Sequence, residues 1–290
     1  MIAIDWGTSS FRAYRLGRDG RVLDTRSAPS GILSVANGKF SAVLDAQAGD
    51  WIRAGDGPVV MSGMIGSRQG WLEVPYAACP AGFDEIANGM RKVAWDGTTA
   101  WIAPGLSCRD EAGIPDVMRG EEVQILGVLD RLGAGAHTIC LPGTHSKWVD
   151  VSDGKIARFT THMTGEAFAV FKAHSILGRM MKDGATDVVA FEDGVRRSAD
   201  AGGLLHHLFG VRAGGLLGEL TEATSASYLS GILIGHEIRS AHRNRSQVHL
   251  LCSVRLVEIY GRAFSALGIE AKVFAPDSVT KGLFRLAAYL

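Results

Sequence analysis

The chain is poor in the features that mark secreted, membrane-spanning or nucleic-acid-binding proteins. Only four of its 290 residues are cysteine, and Cys79, Cys108, Cys140 and Cys252 form no CxxC pair. That spacing offers neither a disulfide framework nor a zinc site. Cys140 and Cys252 fall in apolar, strand-like runs, where a small buried thiol is expected. The 30 Lys and Arg are balanced by 30 Asp and Glu, a formal net charge of zero. Binding to nucleic acid or an anionic membrane leans on a basic excess, so neither is expected as a partner. There is no apolar run of about 18 residues, and no basic segment precedes an apolar signal core. The first strand is expected to begin at Ile2, leaving no room for a targeting segment, and the expected location is cytoplasmic. Familiar nucleotide loops are missing too. Gly31…Gly38-Lys39 has the wrong spacing for a P-loop, and Gly133-Ala-Gly135 lacks the third glycine of a dinucleotide loop. The nine histidines show no metal-ligand spacing; His206, His207 and His236 fall in helical runs and read as structural.

What is present is the make-up of a globular enzyme, 47% hydrophobic and 21% charged, with 37 glycines for turns and close approaches. The length fits two domains or one large one. Residues 2–6, 10–16 and 21–27 read as short strands, the last two joined by an Asp19-Gly20 turn. Helical spacing over 39–54 puts Phe40, Val43, Leu44, Ala48 and Trp51-Ile52 on one side. A strand at 58–61 runs into a Gly-rich loop, 62–71, and another strand ends at Pro104-Gly105. Residues 116–132 read as one helix with Glu121 and Glu122 near its start, where acids suit the helix dipole. Gly133-Ala-Gly135 is the expected boundary between an N-terminal domain, 1–134, and a C-terminal domain, 135–290. The second half repeats the opening theme with strands 138–142, 147–151 and 155–161, then helices near 165–181, 200–209 and 221–240. It closes with strand 247–252, helix 254–267, strand 271–275 and helix 278–289, an order that implies parallel strands with a crossover. Asp277 at the last junction reads as an N-cap.

Two strand–turn–strand units carry the chemistry. In the first, Asp5 ends an apolar strand and Gly7, Thr8, Ser9 and Ser10 follow. In the second, Gly143, Thr144, His145, Ser146 and Lys147 follow strand 138–142. Such turns present backbone N–H groups and hydroxyls to phosphate oxygens, and a carboxylate at Asp5 can hold a metal. The competing reading is that both are ordinary turns, with Lys147 pointing to water.

The segments IAIDWGTSS (2–10), VVMSGMIGSRQGW (59–71), VPYAACPA (74–81), IAPGL (102–106), DVMRGEEVQILG (116–127), LPGTHSKWV (141–149), MTGE (163–166) and HSILG (174–178) run in order across residues 2–180. On these segments the chain resembles the 2-dehydro-3-deoxygalactonokinase family, within the sugar kinase, heat-shock ATPase and actin superfamily; residues 181–290 match more loosely. The resemblance implies an α/β fold of two ribonuclease-H-like domains with an active-site cleft between them. It implies ATP and Mg²⁺ as cofactors and a small-molecule sugar acid as partner, phosphorylated at its C6 hydroxyl; a homodimer is compatible with it. Gly7 to Ser10 and Gly143 to Lys147 would then clamp the polyphosphate, with Asp5 near Mg²⁺ and Lys147 or Arg12 neutralising charge.

A carboxylate must accept the hydroxyl proton. Glu121 is the expected base, ahead of Glu122, unless both merely cap the helix. A sugar acid also needs a cation for its carboxylate, and Arg68 and Arg119 are the candidates because Arg can grip a carboxylate bidentately. Ser62, Gly63, Gly66 and Trp71 would shape the acceptor pocket, although Trp71 reads equally as core. Thr164 and Glu166 would stand at a helix N-terminus near the cleft, with Glu166 equally a capping acid. The expected adenosine turn departs from the family pattern: it reads Cys252-Ser253-Val254-Arg255 where a glycine pair is usual. Ser253 is small enough for close approach, and Arg255 could stack on adenine or pair with a phosphate. A kinase of a related 2-keto-3-deoxy sugar acid, or a non-catalytic sensor of the same fold, are the alternative readings. Intact Asp5, Glu121 and Thr144 favour the enzyme, whereas the altered 252–255 turn is what a sensor would show.

Overall fold

The structure is a computed structural model that describes residues 1–95, 98–242, 247–274 and 278–290. The N-cap expected at Asp277 lies outside the described residues. Fourteen strands and ten α-helices are found among the described residues.

A six-stranded sheet has the order β3-β2-β1-β4-β7-β6. It comprises β1 (Ile2–Trp6), β2 (Phe11–Leu16), β3 (Val22–Ala28), β4 (Val59–Ser62), β6 (Arg91–Trp95) and β7 (Thr98–Ile102). The first three strands are antiparallel, as their turn-linked sequence requires, and β1, β4 and β7 are parallel. Period-2 alternation in β2 sends Phe11 and Ala13 into the core while Arg12 stays exposed. β1 and β4 are buried almost throughout, the pattern of central parallel strands. Helix α1 (Phe40–Arg53) buries Phe40, Leu44, Ala48 and Trp51 against this sheet, as its helical spacing predicts. Strands β5 (Ala77–Ala78), β8 (Leu106–Arg109) and β9 (Pro115–Met118) form a separate small sheet. Helix α2 (Phe83–Gly89) precedes β6; a capping box joins Glu85 Oε2 to the Gly82 N–H at 2.8 Å.

A five-stranded sheet repeats the first order as β12-β11-β10-β13-β14. Its strands are β10 (Ala136–Leu141), β11 (Ser146–Ser152), β12 (Lys155–His162), β13 (Gln247–Leu250) and β14 (Glu270–Val273). The turn between β11 and β12 has positive φ at both Asp153 and Gly154, the signature of a tight hairpin. Strands β10, β13 and β14 are parallel, as the closing alternation implies. Helices α5 (Thr164–His174), α6 (Val188–Arg197), α7 (Gly203–Leu216), α8 (Ser225–Ala241) and α9 (Val254–Ala266) accompany this sheet. The core here joins Cys140, Trp148, Phe191, Val195, Ile234, Val248, Leu250, Tyr260 and Phe264.

Contacts divide the chain into two compact units. One holds Met1–His137, Asp150–Phe159 and Ala275–Leu290; the other holds Thr138–Val149 and Thr160–Phe274. The C-terminal helix α10 (Ser278–Ala287) packs in the first unit, against β1, β4 and α3 (Glu121–Leu126).

Three expectations are corrected. Residues 116–132 are not one helix: 115–118 form β9, Gly120 turns with φ +109°, and α3 is followed after Gly127-Val128 by α4 (Leu129–Leu132). Cross-strand pairing of β9 with β8 wins over helical propensity there, and a positive φ ends any helix. Residues 165–181 break at Ser175 (φ −122°, ψ 172°) before a short turn of 3₁₀ helix at Gly178–Met180. Cys252 lies past the end of β13 and is only half-buried, whereas Cys140 is buried as expected.

Glycine decides how tightly α10 seats. A Cβ on Gly127 would sit 1.8 Å from the Ser278 carbonyl oxygen, whereas one on Gly261 in α9 would meet nothing within 4 Å. Gly127→Ala should therefore destabilise by about 1–3 kcal/mol through overpacking. Gly261→Ala should be neutral or stabilise by up to about 1 kcal/mol through helix propensity. Denaturant unfolding of both variants checks this; equal effects would contradict the packing described.

Candidate active site

In the first unit, three chain segments meet at the end of β1. Asp5 is paired in register with Arg12 on one side and Ser62 on the other. Its carboxylate is 23% exposed and stands 3.8 Å from Arg12 Nη1. Burial pushes the Asp5 carboxyl above its ordinary pKa, partly offset by the Arg12 guanidinium. Arg12 itself lies largely in solvent. Ser62 is fully buried, its hydroxyl donating to the Ile4 carbonyl at 3.5 Å. Gly63 (φ +92°) has room for no Cβ, which would lie 2.8 Å from the Trp6 carbonyl oxygen and 3.4 Å from Asp5 Oδ1. Gly120 in turn faces the Gly63 Cα, 3.4 Å from where its own Cβ would be.

Helix α3 starts from that turn. Glu122 is completely buried, and its Oε2 accepts the Gly120 N–H at 2.6 Å. Its Oε1 has no partner among the described residues. Desolvation, reinforced by the neighbouring Glu121 carboxylate, pushes the Glu122 pKa up to about 8. Glu121 is half-buried, and its Oε2 accepts the Arg119 N–H at 3.1 Å.

The two candidate arginines part company. Arg68 is 87% exposed and pairs with Glu73 at 3.4 Å. Arg119 donates Nη2 to the Val74 carbonyl at 2.8 Å and lies 4.4 Å from the Tyr76 ring centroid. Its Nη1 fills the space a Cβ on Gly66 would take, 2.9 Å away. Nε and Nη1 of Arg119 are buried with no hydrogen-bond partner among the described residues. Buried cationic donors left unmade are costly, and an anionic oxygen is the group that would complete them. Trp71 is half-buried against the sheet core. Tyr76 and Val74, which orient Arg119, were not singled out as site residues from the sequence; nothing in their local pattern says that a guanidinium stacks there.

The loop 7–10 folds back with the Gly7 N–H donating to the Ser10 carbonyl at 2.9 Å, leaving Thr8 and Ser9 exposed. The tight approach is made by Gly31, whose Cβ would lie 2.3 Å from the Thr8 carbonyl oxygen. A Cβ on Gly7 itself would meet only Ser10, its carbonyl oxygen 3.6 Å away, an ordinary contact.

The second unit shows the same device. A Cβ on Gly143 would make only an ordinary contact, 3.7 Å from the His145 carbonyl oxygen, while a Cβ on Gly165 would lie 2.5 Å from the Gly143 carbonyl oxygen. Gly143, Thr144 and Ser253 line one cavity of about 700 Å³, together with Gly165, Phe168, Lys172, Arg255 and Tyr260. Thr164, expected on the acceptor side, stands in this same wall. His145, Ser146 and Lys147 do not line it. His145 pairs with Glu166. Ser146 is buried with its hydroxyl 3.0 Å from Tyr260 OH, and Lys147, buried too, donates to Thr161 Oγ1 at 2.6 Å instead of pointing to water. The sequence reading missed Phe168, Lys172 and Tyr260, which come from helix interiors where they look like core or solvated face.

No group of three or more His, Cys, Asp and Glu side chains suited to a metal is found among the described residues. A lone, poorly solvated carboxylate at Asp5 still fits Mg²⁺, which keeps several waters and needs only one or two protein carboxylates beside phosphate. No helix among the described residues is long and apolar enough to cross a membrane.

The repeated strand order, the two loops braced by distant glycines and the cavity beside Gly143-Thr144 are those of a mixed α/β sugar kinase of the actin-like ATPase fold. The model of the 2-keto-3-deoxy-galactonokinase family matches residues 5–286, and the chain belongs to that family. It is 39% identical over 97% of its length to a protein of Rhizobium meliloti (strain 1021) named "Probable 2-dehydro-3-deoxygalactonokinase", covering 94% of that protein. It is 35% identical over 99% of its length to the 2-dehydro-3-deoxygalactonokinase of Escherichia coli (strain K12), covering 97% of it. A crystal structure of a candidate 2-dehydro-3-deoxygalactonokinase from Sinorhizobium meliloti superposes with a TM-score of 0.91 at 37% identity, covering 99% of this chain and 97% of that one.

Glu122 sets a pH signature. Unfolded, it ionises near its ordinary value of 4.5; folded, it holds its proton to about 8. The folded state therefore binds the extra proton between these values, so this group's contribution to stability falls as pH rises from about 4.5 to about 8 and levels off above. Glu122→Gln should remove that slope, a difference on the order of a few kcal/mol between pH 5 and 8. Urea unfolding at both pH values measures it, and parallel slopes in the two proteins would refute the assignment.

Proposed function

We propose that this protein transfers the γ-phosphoryl group of ATP to the C6 hydroxyl of 2-dehydro-3-deoxy-D-galactonate, giving 2-dehydro-3-deoxy-6-phosphogalactonate and ADP in galactonate catabolism. The observation that carries the residue assignment is Arg119, whose buried Nε and Nη1 have no hydrogen-bond partner among the described residues, beside the acidic start of α3. Arg119 grips the carboxylate of the sugar acid, and Ser62, Gly63, Gly66 and Trp71 shape the space around the sugar. Glu121 accepts the C6 hydroxyl proton as the hydroxyl oxygen attacks the γ-phosphorus and the bond to the ADP oxygen breaks. Glu122 stays in the interior and holds the Gly120 N–H. The Gly7–Ser10 and Gly143–Thr144 loops present backbone N–H groups and hydroxyls to phosphate oxygens. Asp5 holds Mg²⁺, which neutralises charge on the phosphates. Ser253 admits the nucleoside close to the backbone, beside Arg255. We assign the acceptor to residues within 1–134 and the nucleotide to residues within 135–290.

We further assign a cytoplasmic location, on the strength of four cysteines of which none is in a disulfide, and a homodimer paired through α7. Leu205, Phe209 and Leu216 fall on one face of that helix and are 83%, 60% and 63% exposed. A stripe of that kind suits an isologous contact with its own copy. Sedimentation should find a dimer that Phe209→Glu converts to monomer; a monomeric native protein removes this assignment.

An ADP-release assay on a panel of 2-keto-3-deoxy sugar acids tests the activity. Glu121→Gln should lose about 10²–10⁴-fold in kcat. Arg119→Lys should raise KM for the sugar acid at least about 10-fold, since Lys cannot grip bidentately. Arg68→Ala should stay within about 2-fold, like other exposed ion-pair losses. Turnover of no substrate by the native protein would sink the proposal, and undiminished turnover in Glu121→Gln would remove Glu121 as base.

A further inference from the structure

Behind the wall of the 700 Å³ cavity lies a polar network that the proposed chemistry does not use. Glu237 of α8 is 3% exposed. Its Oε1 accepts the Trp148 indole N–H at 2.9 Å, and its Oε2 accepts the Tyr260 hydroxyl at 2.8 Å. Because the single Tyr260 proton goes to Glu237, the Ser146 hydroxyl donates to Tyr260 across 3.0 Å. Ser146, Trp148 and Tyr260 are each buried. Glu237 forms no ion pair among the described residues, so both its oxygens rest on neutral donors.

A carboxylate held this way is a costly means of stabilising a core. What it supplies is geometry. Strand β11, which carries Ser146 and Trp148, leaves directly from the Gly143-Thr144 loop. Helix α9, which carries Tyr260, begins directly after Ser253. Helix α8 carries Glu237 and also contributes Ser230 to the cavity wall. One side chain therefore ties together α8, α9 and the strand that leaves the Gly143-Thr144 loop, and Tyr260 both lines the cavity and bonds Glu237.

We propose that Glu237 is a positioning residue for the nucleotide: through Tyr260 and Ser146 it fixes the Gly143-Thr144 loop relative to the Ser253–Arg255 turn, and so sets where a nucleoside diphosphate is held. This rests on the kinase reading above. It touches neither substrate nor reacting atoms, so its effect falls on nucleotide affinity and leaves the sugar-acid side alone.

Calorimetric titration of ADP into the native protein, Glu237→Leu and Tyr260→Phe tests it, alongside KM for ATP and for the sugar acid. Losing both bonds of the buried carboxylate should weaken ADP about 10-fold or more in Glu237→Leu; Tyr260→Phe loses the two bonds of the hydroxyl but keeps the Glu237–Trp148 bond, and should weaken ADP about 5-fold. KM for ATP should rise in step, with KM for the sugar acid changed less than about 2-fold. The double variant should be no worse than Glu237→Leu, because both act through one chain of bonds. Tyr260→Phe keeps the ring packing and so keeps the test alive if Glu237→Leu fails to fold. The Trp148 indole N–H resonance should shift in Glu237→Leu, independently of activity. Native-like ADP affinity in folded variants, or an equal rise in both KM values, overturns the proposal while leaving the kinase reading intact. A native protein that binds no ADP and phosphorylates nothing sinks the kinase reading, and this inference with it.

Discussion

The first unit's site depends on one hydrogen bond in one strained turn. Gly120 adopts φ +109° with its backbone pressed toward Gly63, and its N–H is held at 2.6 Å by the buried Glu122 carboxyl. Without that turn, β9 would not pass into α3, and Arg119 and Glu121 would not leave the same corner in different directions. No L side chain fits Gly120 or Gly63 without strain, and the Gly63 position is further closed by the Trp6 carbonyl. The acidic helix start, the Asp5 carboxylate and the guanidinium are neighbours because backbone meets backbone there.

The two glycine loops obey a related rule. In each, the loop glycine contacts only its own loop on its Cβ side, and a second glycine, distant in sequence, lets a neighbouring segment press against the loop backbone. Gly31 serves Gly7–Ser10, and Gly165 serves Gly143–Thr144. A loop braced from behind by backbone keeps its N–H groups in place.

Incomplete hydrogen bonding separates the two candidate arginines. Arg68 is solvated and paired; Arg119 is stacked on Tyr76, tied by one nitrogen, and has two buried donors unmade among the described residues. Folding tolerates such a deficit poorly unless a ligand completes it. Asp5 differs in keeping some contact with water and the Arg12 guanidinium 3.8 Å away, although burial still raises its pKa. In the second unit the polar residues next to the loop, Ser146 and Lys147, are instead buried with their hydrogen bonds made inside the protein.

Much of the fold was legible in the chain. Apolar alternation and turn residues placed β1 to β4, α1 and the β10–β12 hairpins within a residue or two, because local pattern and tertiary demand agree there. The approximate doubling of the opening motif foretold the repeated strand order of the two large sheets. Local reading failed at 116–132 and 165–181, where pairing with β8 and the break at Ser175 overrode helical spacing. It also could not choose between Arg68 and Arg119, since both are arginines near glycine. The amino-acid sequence by itself determined the residue types, the turn positions and the family, all of which rest on short-range pattern and residue identity. Only the tertiary structure decided which arginine is buried with donors to spare, that Glu122 is sealed in while Glu121 is not, and that Ser146 turns inward to Tyr260. Those depend on solvation and on contacts between residues far apart in the chain, which no local pattern encodes.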